Sequence, residues 1–384
     1  MTWSEYVEEV LSIIRDESSR EGIERTVDNY ERDFKDIISE YPETRDLAKE
    51  VKEIRRRSIK RNEELKRVLI SRCRDLGVKI YIAKDHNEVY GYVSELIGDT
   101  KLIVKSKSMV SEEIDLRDYL VGRGLEVWET DLGEFIIQLA RDIPMHIVTP
   151  AIHYKKERVA ELLSGFFKKK FKGSDVEEMV RMVSKFLRDK YFDADLGIIG
   201  SNFISVEEPA SILIHNEGNI TMTWNTPKKL LILSDIFKLT PTIDEAIKNA
   251  LVTSRYAGYR IAGYYDILLY EALVNRGLEL HLILYDGGRS KIIKDDEFWT
   301  AASCIKCGAC MYVCSAYQIV GGRFGGKGYP GGIGTIINSF THGLEYSLPS
   351  LYTCMFDKRC REICPVEIDI PSMIHRLRIK YLSR

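Results

Sequence analysis

Over the first 77 residues apolar positions recur at helical spacing: Tyr6, Val10, Ile13 and Ile14, then Phe34, Ile37 and Ile38, then Leu65, Val68 and Leu69. The positions between are dense in charge and poor in Gly and Pro until Pro42 breaks the pattern. This predicts two or three amphipathic helices, mostly solvated, with one stripe packed on the next part of the chain. The run from Arg55 to Arg61 reads as the wet face of a helix rather than a basic patch for an acidic partner. Cys73, alone in a charged helical context, reads as a small packing residue. From residue 78 the period changes. Short apolar runs predict strands at 78–82, 102–104, 125–128, 146–148, 196–200, 211–215, 230–233 and 280–284. Helical patterns lie between them at 85–97, 111–122, 132–140, 155–165, 174–190 and 242–254. Such alternation predicts an α/β domain with a parallel sheet covered on both faces. The expected units are a helical N-terminal segment (1–77), an α/β domain (78–295) and a C-terminal domain (296–384).

Composition narrows this only slightly. The 384 residues are 45% hydrophobic and 30% charged, as in a folded water-soluble chain, and exceed one ordinary core. The net charge of −2 gives no electrostatic case for nucleic-acid binding. The start, MTWSEYVEEV, is acidic and lacks the basic-then-apolar form of a secretory signal, and no apolar run approaches the ~20 residues of a membrane span. Seven of the eight cysteines fall within 304–364. A local cluster of that kind predicts metal in a reducing compartment rather than disulfides spread over the fold, hence a cytoplasmic protein.

Those cysteines carry the chemistry. Cys304, Cys307, Cys310 and Cys314 read C-x2-C-x2-C-x3-C, the bacterial ferredoxin spacing for a cubane iron–sulfur cluster. A second copy in the same frame falls on Cys354, Asp357, Cys360 and Cys364-Pro365, with aspartate in one thiolate slot. In such pairs the fourth cysteine of each run ligates the other cluster. One cluster therefore takes Cys304, Cys307, Cys310 and Cys364; the other takes Cys314, Cys354 and Cys360, with Asp357 either its fourth ligand or a surface residue beside a three-iron cluster. A carboxylate is a harder, weaker ligand for iron than a thiolate, so the two clusters are unequal on either reading. The competing occupant is structural zinc, which favours two separated knuckles over three cysteines in seven residues plus a crossing fourth. Thirty-nine residues separate Cys314 from Cys354, and their glycines (Gly321 to Gly334) are expected to bring backbone N–H groups to the cluster sulfurs, with a helix after them carrying Ile333, Ile336, Ile337 and Phe340.

Upstream, Lys105-Ser106-Lys107-Ser108-Met109-Val110-Ser111, Glu129-Thr130-Asp131-Leu132-Gly133, Pro150-Ala151-Ile152-His153, Gly200-Ser201-Asn202-Phe203, Asn216-Glu217-Gly218-Asn219 and Asp286-Gly287-Gly288-Arg289-Ser290 succeed one another along the chain. In that order they resemble the motifs of the lactate-utilisation (LUD) domain family, over roughly residues 60–384 with the cysteine block included. The resemblance implies a sugar-phosphate-isomerase-like α/β sheet and a helical ferredoxin end. It also implies an iron–sulfur electron-transfer subunit of an oxidoreductase that converts L-lactate or a related 2-hydroxy acid to the 2-oxo acid. The partners implied are a CCG-domain cysteine-rich subunit and a second LUD-domain protein.

Lys105, Lys107 and Ser108 fall where a strand end meets a helix, the usual ligand position of an open α/β sheet. With Asn202, Glu207, Asn216, Glu217 and Arg289 they are candidates to line a crevice for a small carboxylate or phosphate, although Ser, Asn and Asp-Gly are equally turn and cap residues. His146, His153 and His215 read as packing or surface residues. No dinucleotide fingerprint or P-loop is present, and no catalytic residue can be assigned. Two further readings stay open: a LUD crevice that is itself catalytic and wired to the clusters, and an iron–sulfur redox switch.

Overall fold

Four helices, rather than two or three, fill the N-terminal stretch: α1 (Trp3–Arg15), α2 (Glu17–Glu40), α3 (Thr44–Lys60) and α4 (Asn62–Asp75). The computed structural model describes residues 3–260, 264–326 and 328–383. The extra boundaries have local causes. Asp16 caps α2 by accepting from the Ser18 N–H at 3.0 Å, and α2 stops at Tyr41, before Pro42. The Arg55–Arg61 run is not simply a wet face. Arg55 is fully buried and donates to the backbone carbonyls of Phe237, Ala302 and Ser303, so α3 ties the sheet to the segment before the cysteines. Cys73 is wholly buried among apolar neighbours, as a packing residue would be. The first two helices lie over the C-terminal region. The Tyr6 hydroxyl meets Thr353 Oγ1 at 2.6 Å, and the Tyr30 ring stacks on Tyr312 with centroids 4.2 Å apart.

The strands are β1 (Lys79–Ala83), β2 (Leu102–Lys105), β3 (Glu126–Glu129), β4 (Leu196–Ile199), β5 (Phe203–Ser205), β6 (Ala210–His215), β7 (Lys229–Asp235), β8 (Leu239–Thr240), β9 (Tyr264–Leu269) and β10 (Glu279–Tyr285). Six of them form one parallel sheet in the order β1-β10-β7-β4-β2-β3. The central strands are buried almost throughout and apolar except at their ends, as burial on both faces requires. After β2 the chain steps outward to β3, then returns to the other side of β2 for β4 and moves on to β7 and β10. The switch point therefore lies between β2 and β4, and a crevice is expected off their carboxyl ends.

A second, mixed sheet of order β8-β5-β6-β9 is beyond the periodic signal, since β5 and β8 are three and two residues long and β9 reads YYDILL. The structure corrects two sequence expectations. The helix over 111–122 is two helices, Met109–Glu113 and Leu116–Gly122, broken at Asp115, whose φ is 52°. Residues 146–148 form no strand. Their backbone wraps the buried His146 ring, whose Nδ1 accepts the N–H groups of Val148 (3.1 Å) and Thr149 (3.3 Å) that a ladder would otherwise use.

The C-terminal region is helical, with Ala309–Tyr312, Ser315–Val320, Gly331–Thr341, Leu344–Thr353, Arg359–Glu362 and Ile370–Leu382. No described helix is long and apolar enough to cross a membrane. The glycines before and within the Gly331–Thr341 helix serve close packing. A Cβ at Gly322 would strike Met145, one at Gly328 the Glu113 backbone, and one at Gly334 the carbonyl of Tyr329. Gly334→Ala is expected to cost about 1–3 kcal/mol, read as a lowered urea midpoint with an unchanged slope.

Candidate metal centre and adjoining crevice

The two cysteine runs fold as copies of one loop. Lys306 (φ 62°) and Gly308 (φ 81°) flank Cys307, and Phe356 (φ 58°) and Lys358 (φ 63°) flank Asp357 at the matching positions. Left-handed backbone at four such positions, three of them non-glycine, is costly unless the surroundings impose it. It turns amides inward: the Lys306 N–H donates to Cys304 Sγ and the Ile368 N–H to Cys364 Sγ, each at 3.4 Å. These amides belong to the cysteine loops, not to the glycine-rich insert, which packs against the α/β domain instead.

The thiols sort into two sets. Burial pushes Cys310 well up, and neighbouring Cys304, Cys307, Cys360 and Cys364 add to it. Burial likewise raises Cys360, followed by Cys314, Cys354 and Asp357. Cys304, Cys307, Cys310 and Cys364 line one largely apolar pocket with Pro365, Ile333 and Ile337. Four thiols around one pocket are the donor set that a cubane takes.

The charge around the first set also fits an anionic cluster. Arg55, Lys238 and Lys306 are all buried and all act on Cys304. At the second set Asp357 is already engaged: its Oδ2 accepts from the Ser315 N–H (3.0 Å) and hydroxyl (2.8 Å), and its Oδ1 from the Arg359 N–H (3.2 Å). Burial opposes its charge, but these bonds hold its carboxyl below the usual range.

A buried network joins the first cysteine loop to the sheet. Lys306 pairs with Asp235 at the end of β7, and Arg289 pairs with Glu113 and approaches Asp235 at 3.9 Å. The Tyr329 hydroxyl accepts from Arg289 (3.0 Å) and Lys306 (2.8 Å) and donates to Asp235 (3.2 Å). Burial and the nearby cations pull in opposite directions on Asp235, and the cations win, holding its carboxyl far below the usual range.

At the switch point between β2 and β4 lies a cavity of about 530 Å³. Lys107, Ser108, Asn202, Asn216 and Glu217 line it. Lys105 and Arg289 do not: Lys105 is fully buried beneath it, bonded to Glu129 (2.9 Å) and Glu112 (3.1 Å), and Arg289 is held in the network above. Glu207 is exposed and outside the cavity. His215, placed by sequence as a packing or surface residue, lies in the wall and pairs with Asp266 at 3.2 Å. His146 and His153 are buried, the first stacked on Tyr312 and the second 3.1 Å from Asp142.

Sequence reasoning missed Ser106, Asp131, Ser234, Asp235, Lys238, Tyr259 and Lys306, all of which reach the wall. Of these Ser106 and Asp131 stood inside the quoted motifs and Lys306 between two motif cysteines; the others carried no local signal. Lys238 lies just past an apolar strand and nothing local marks it. Burial, with Lys306 nearby, pulls its ammonium down to about 7 against the opposing pull of Asp235.

A profile of the LUD domain matches residues 66–260, and one of a 4Fe-4S dicluster domain matches residues 300–368. Lactate utilization protein B 1 of Bacillus mycoides is 37% identical over 313 residues, which are 80% of this chain and 64% of that protein. Lactate utilization protein B of Bacillus thuringiensis is 31% identical over 351 residues, 89% of this chain and 72% of that protein. The chain thus spans just under two thirds of the first of these relatives and somewhat more of the second. A crystal structure of a DUF162 family protein from Deinococcus radiodurans aligns over 58% of this chain and 98% of its own at 11% identity, with a TM-score of 0.34 that carries no weight.

Proposed function

The chain belongs to the LUD-domain family and bears a 4Fe-4S dicluster region, and on that premise we propose that it is the iron–sulfur electron-transfer subunit of an oxidoreductase of lactate utilisation. The reaction served is oxidation of L-lactate or a related 2-hydroxy acid to the 2-oxo acid, which releases two electrons and two protons. The observation that carries this reading is the crossing of the cysteines. Cys364 joins the first loop, Cys314 joins the second, and Cys310 and Cys360 neighbour each other, so the two sets stand side by side. When bound, the clusters supply one-electron storage and transfer.

The chain's own residues set the conditions. Arg55, Lys238 and Lys306 place positive charge beside the first set, the loop amides donate to its sulfurs, and apolar walls keep water from it. Each of these bears on potential. The CCG-domain subunit and the second LUD-domain protein are its proposed partners, one delivering electrons and the other receiving them.

Anaerobic purification followed by iron, sulfide and zinc analysis, with electron paramagnetic resonance of oxidised and reduced protein, tests the proposal. Two clusters predict about seven to eight irons per chain; zinc without sulfide would sink it. Because Ser315 and Arg359 already engage Asp357, the second cluster is expected to show a three-iron signal when oxidised. Asp357→Cys should restore the fourth thiolate and abolish that signal. If the wild-type signal is absent, Asp357 is a ligand in spite of those bonds.

A second reading is favoured by Lys306. It stands in the crevice wall and also between Cys304 and Cys307, so a ligand in the crevice would lie beside the first set. On this reading the LUD domain binds a small organic anion itself and is wired to the clusters.

A further inference from the structure

One end of the crevice has positive charge left over. Three lysines reach its wall. Lys306 is neutralised by Asp235, and Lys107 stands 3.9 Å from Glu134. Lys238 has no ion pair of its own among the described residues: Asp235 acts on it, but is paired with Lys306 and approached by Arg289. Its ammonium lies 5.2 Å over the Phe203 ring, and the side chain is only 7% exposed. The same wall contains Ser106 and Ser234, 1% and 2% exposed, whose hydroxyls have no hydrogen-bond partner among the described residues. A buried cation with two unpaired buried hydroxyls is an incomplete arrangement, since buried polar groups are otherwise satisfied.

The remaining wall limits what completes it. Asp131, Glu217 and Tyr259 form a second polar group: burial raises Glu217, with Asp131 adding to it, and burial raises Tyr259, with both carboxylates adding. That group repels a second negative charge and offers hydrogen-bonding partners to a hydroxyl or carbonyl. Ile147, Val148, Pro150, Ile152 and Ile220 supply apolar surface. One buried lysine without an ion pair of its own, in a wall that also carries Asp131 and Glu217, suits a monoanion and disfavours a phosphate dianion.

We propose that the crevice binds a small organic monocarboxylate, its carboxylate seated on Lys238, Ser106 and Ser234 beside the Cys304–Cys307 loop. This rests on the second reading above, in which the LUD domain is itself a binding domain. It also couples the ligand to the cluster. Lys238 acts on Cys304, so a carboxylate that neutralises it removes positive charge from the first cluster's surroundings and disfavours reduction.

The test is isothermal titration of the anaerobically purified, cluster-loaded chain with L-lactate, pyruvate and inorganic phosphate. The expected result is saturable binding of both monocarboxylates, with phosphate at least tenfold weaker. Lys238→Met should weaken monocarboxylate binding at least tenfold and Ser234→Ala severalfold, with iron content unchanged. Pyruvate should shift the first cluster's potential downward in the wild type and in neither direction in Lys238→Met. If Lys238→Met loses iron, Ser234→Ala alone decides. Wild-type binding that both variants retain would overturn this seat while leaving the second reading standing. No saturable binding to the wild type would overturn both, and phosphate binding as tight as lactate would overturn the monocarboxylate class.

Discussion

Cys364→Ser removes the first cluster and spares the second: iron falls by about four per chain, and the signal of the Cys354–Cys360 loop persists. Sequence distance argues the other way, since Cys364 is four residues from Cys360 and more than fifty from Cys310. Proximity in the fold decides it. Cys364 shares its cavity with Cys304, Cys307 and Cys310, and burial raises its thiol to about 11, so only bound metal makes it a thiolate at neutral pH. Serine is a poor substitute ligand for iron. Cys314→Ser should give the complementary loss. Iron analysis with paramagnetic resonance of the two variants checks the pair. If Cys364→Ser depletes the second signal, the crossing is wrong, and with it the side-by-side placement of the clusters.

Glu113→Ala is expected to destabilise the protein by about 3–5 kcal/mol, more than any charge change on the surface. Glu113 and Arg289 are both buried, in different helices, and are paired with each other. Removing the carboxylate leaves a guanidinium that cannot shed its proton and whose nearest alternative, Asp235, is 3.9 Å away and already paired with Lys306. Glu113→Gln, which keeps a hydrogen-bond acceptor, should cost less. Urea unfolding of the holoprotein under anaerobic conditions reads both. Equal stability for Glu113→Ala would mean that Lys306 and Asp235 rearrange to accept Arg289.

The parallel sheet and the dicluster region were legible because each rests on a local signal, an apolar run of strand length or a fixed spacing of cysteines. The parts that were not legible depend on distant segments. Arg55 looked solvated among its basic neighbours, yet its partners are carbonyls about 180 to 250 residues away. Arg289 and Lys105 were read as lining the crevice, but each is consumed by a buried carboxylate, which strand-end position cannot reveal. Lys238 shows the opposite failure. It is unremarkable in sequence and becomes exceptional only when β7, the switch point and the Cys304–Cys307 loop enclose it.

The contact between Tyr6 and Thr353 spans 347 positions, and that between Tyr30 and Tyr312 spans 282. During synthesis the first two helices therefore leave the ribosome long before the surface they cover exists. The α2 stripe meets part of its surface earlier, in Tyr256, which Tyr30 and Phe34 both touch; the rest comes only with the region from Tyr312 to Thr353. Both helices are thus seated in full only after the cysteine loops they cover have been made.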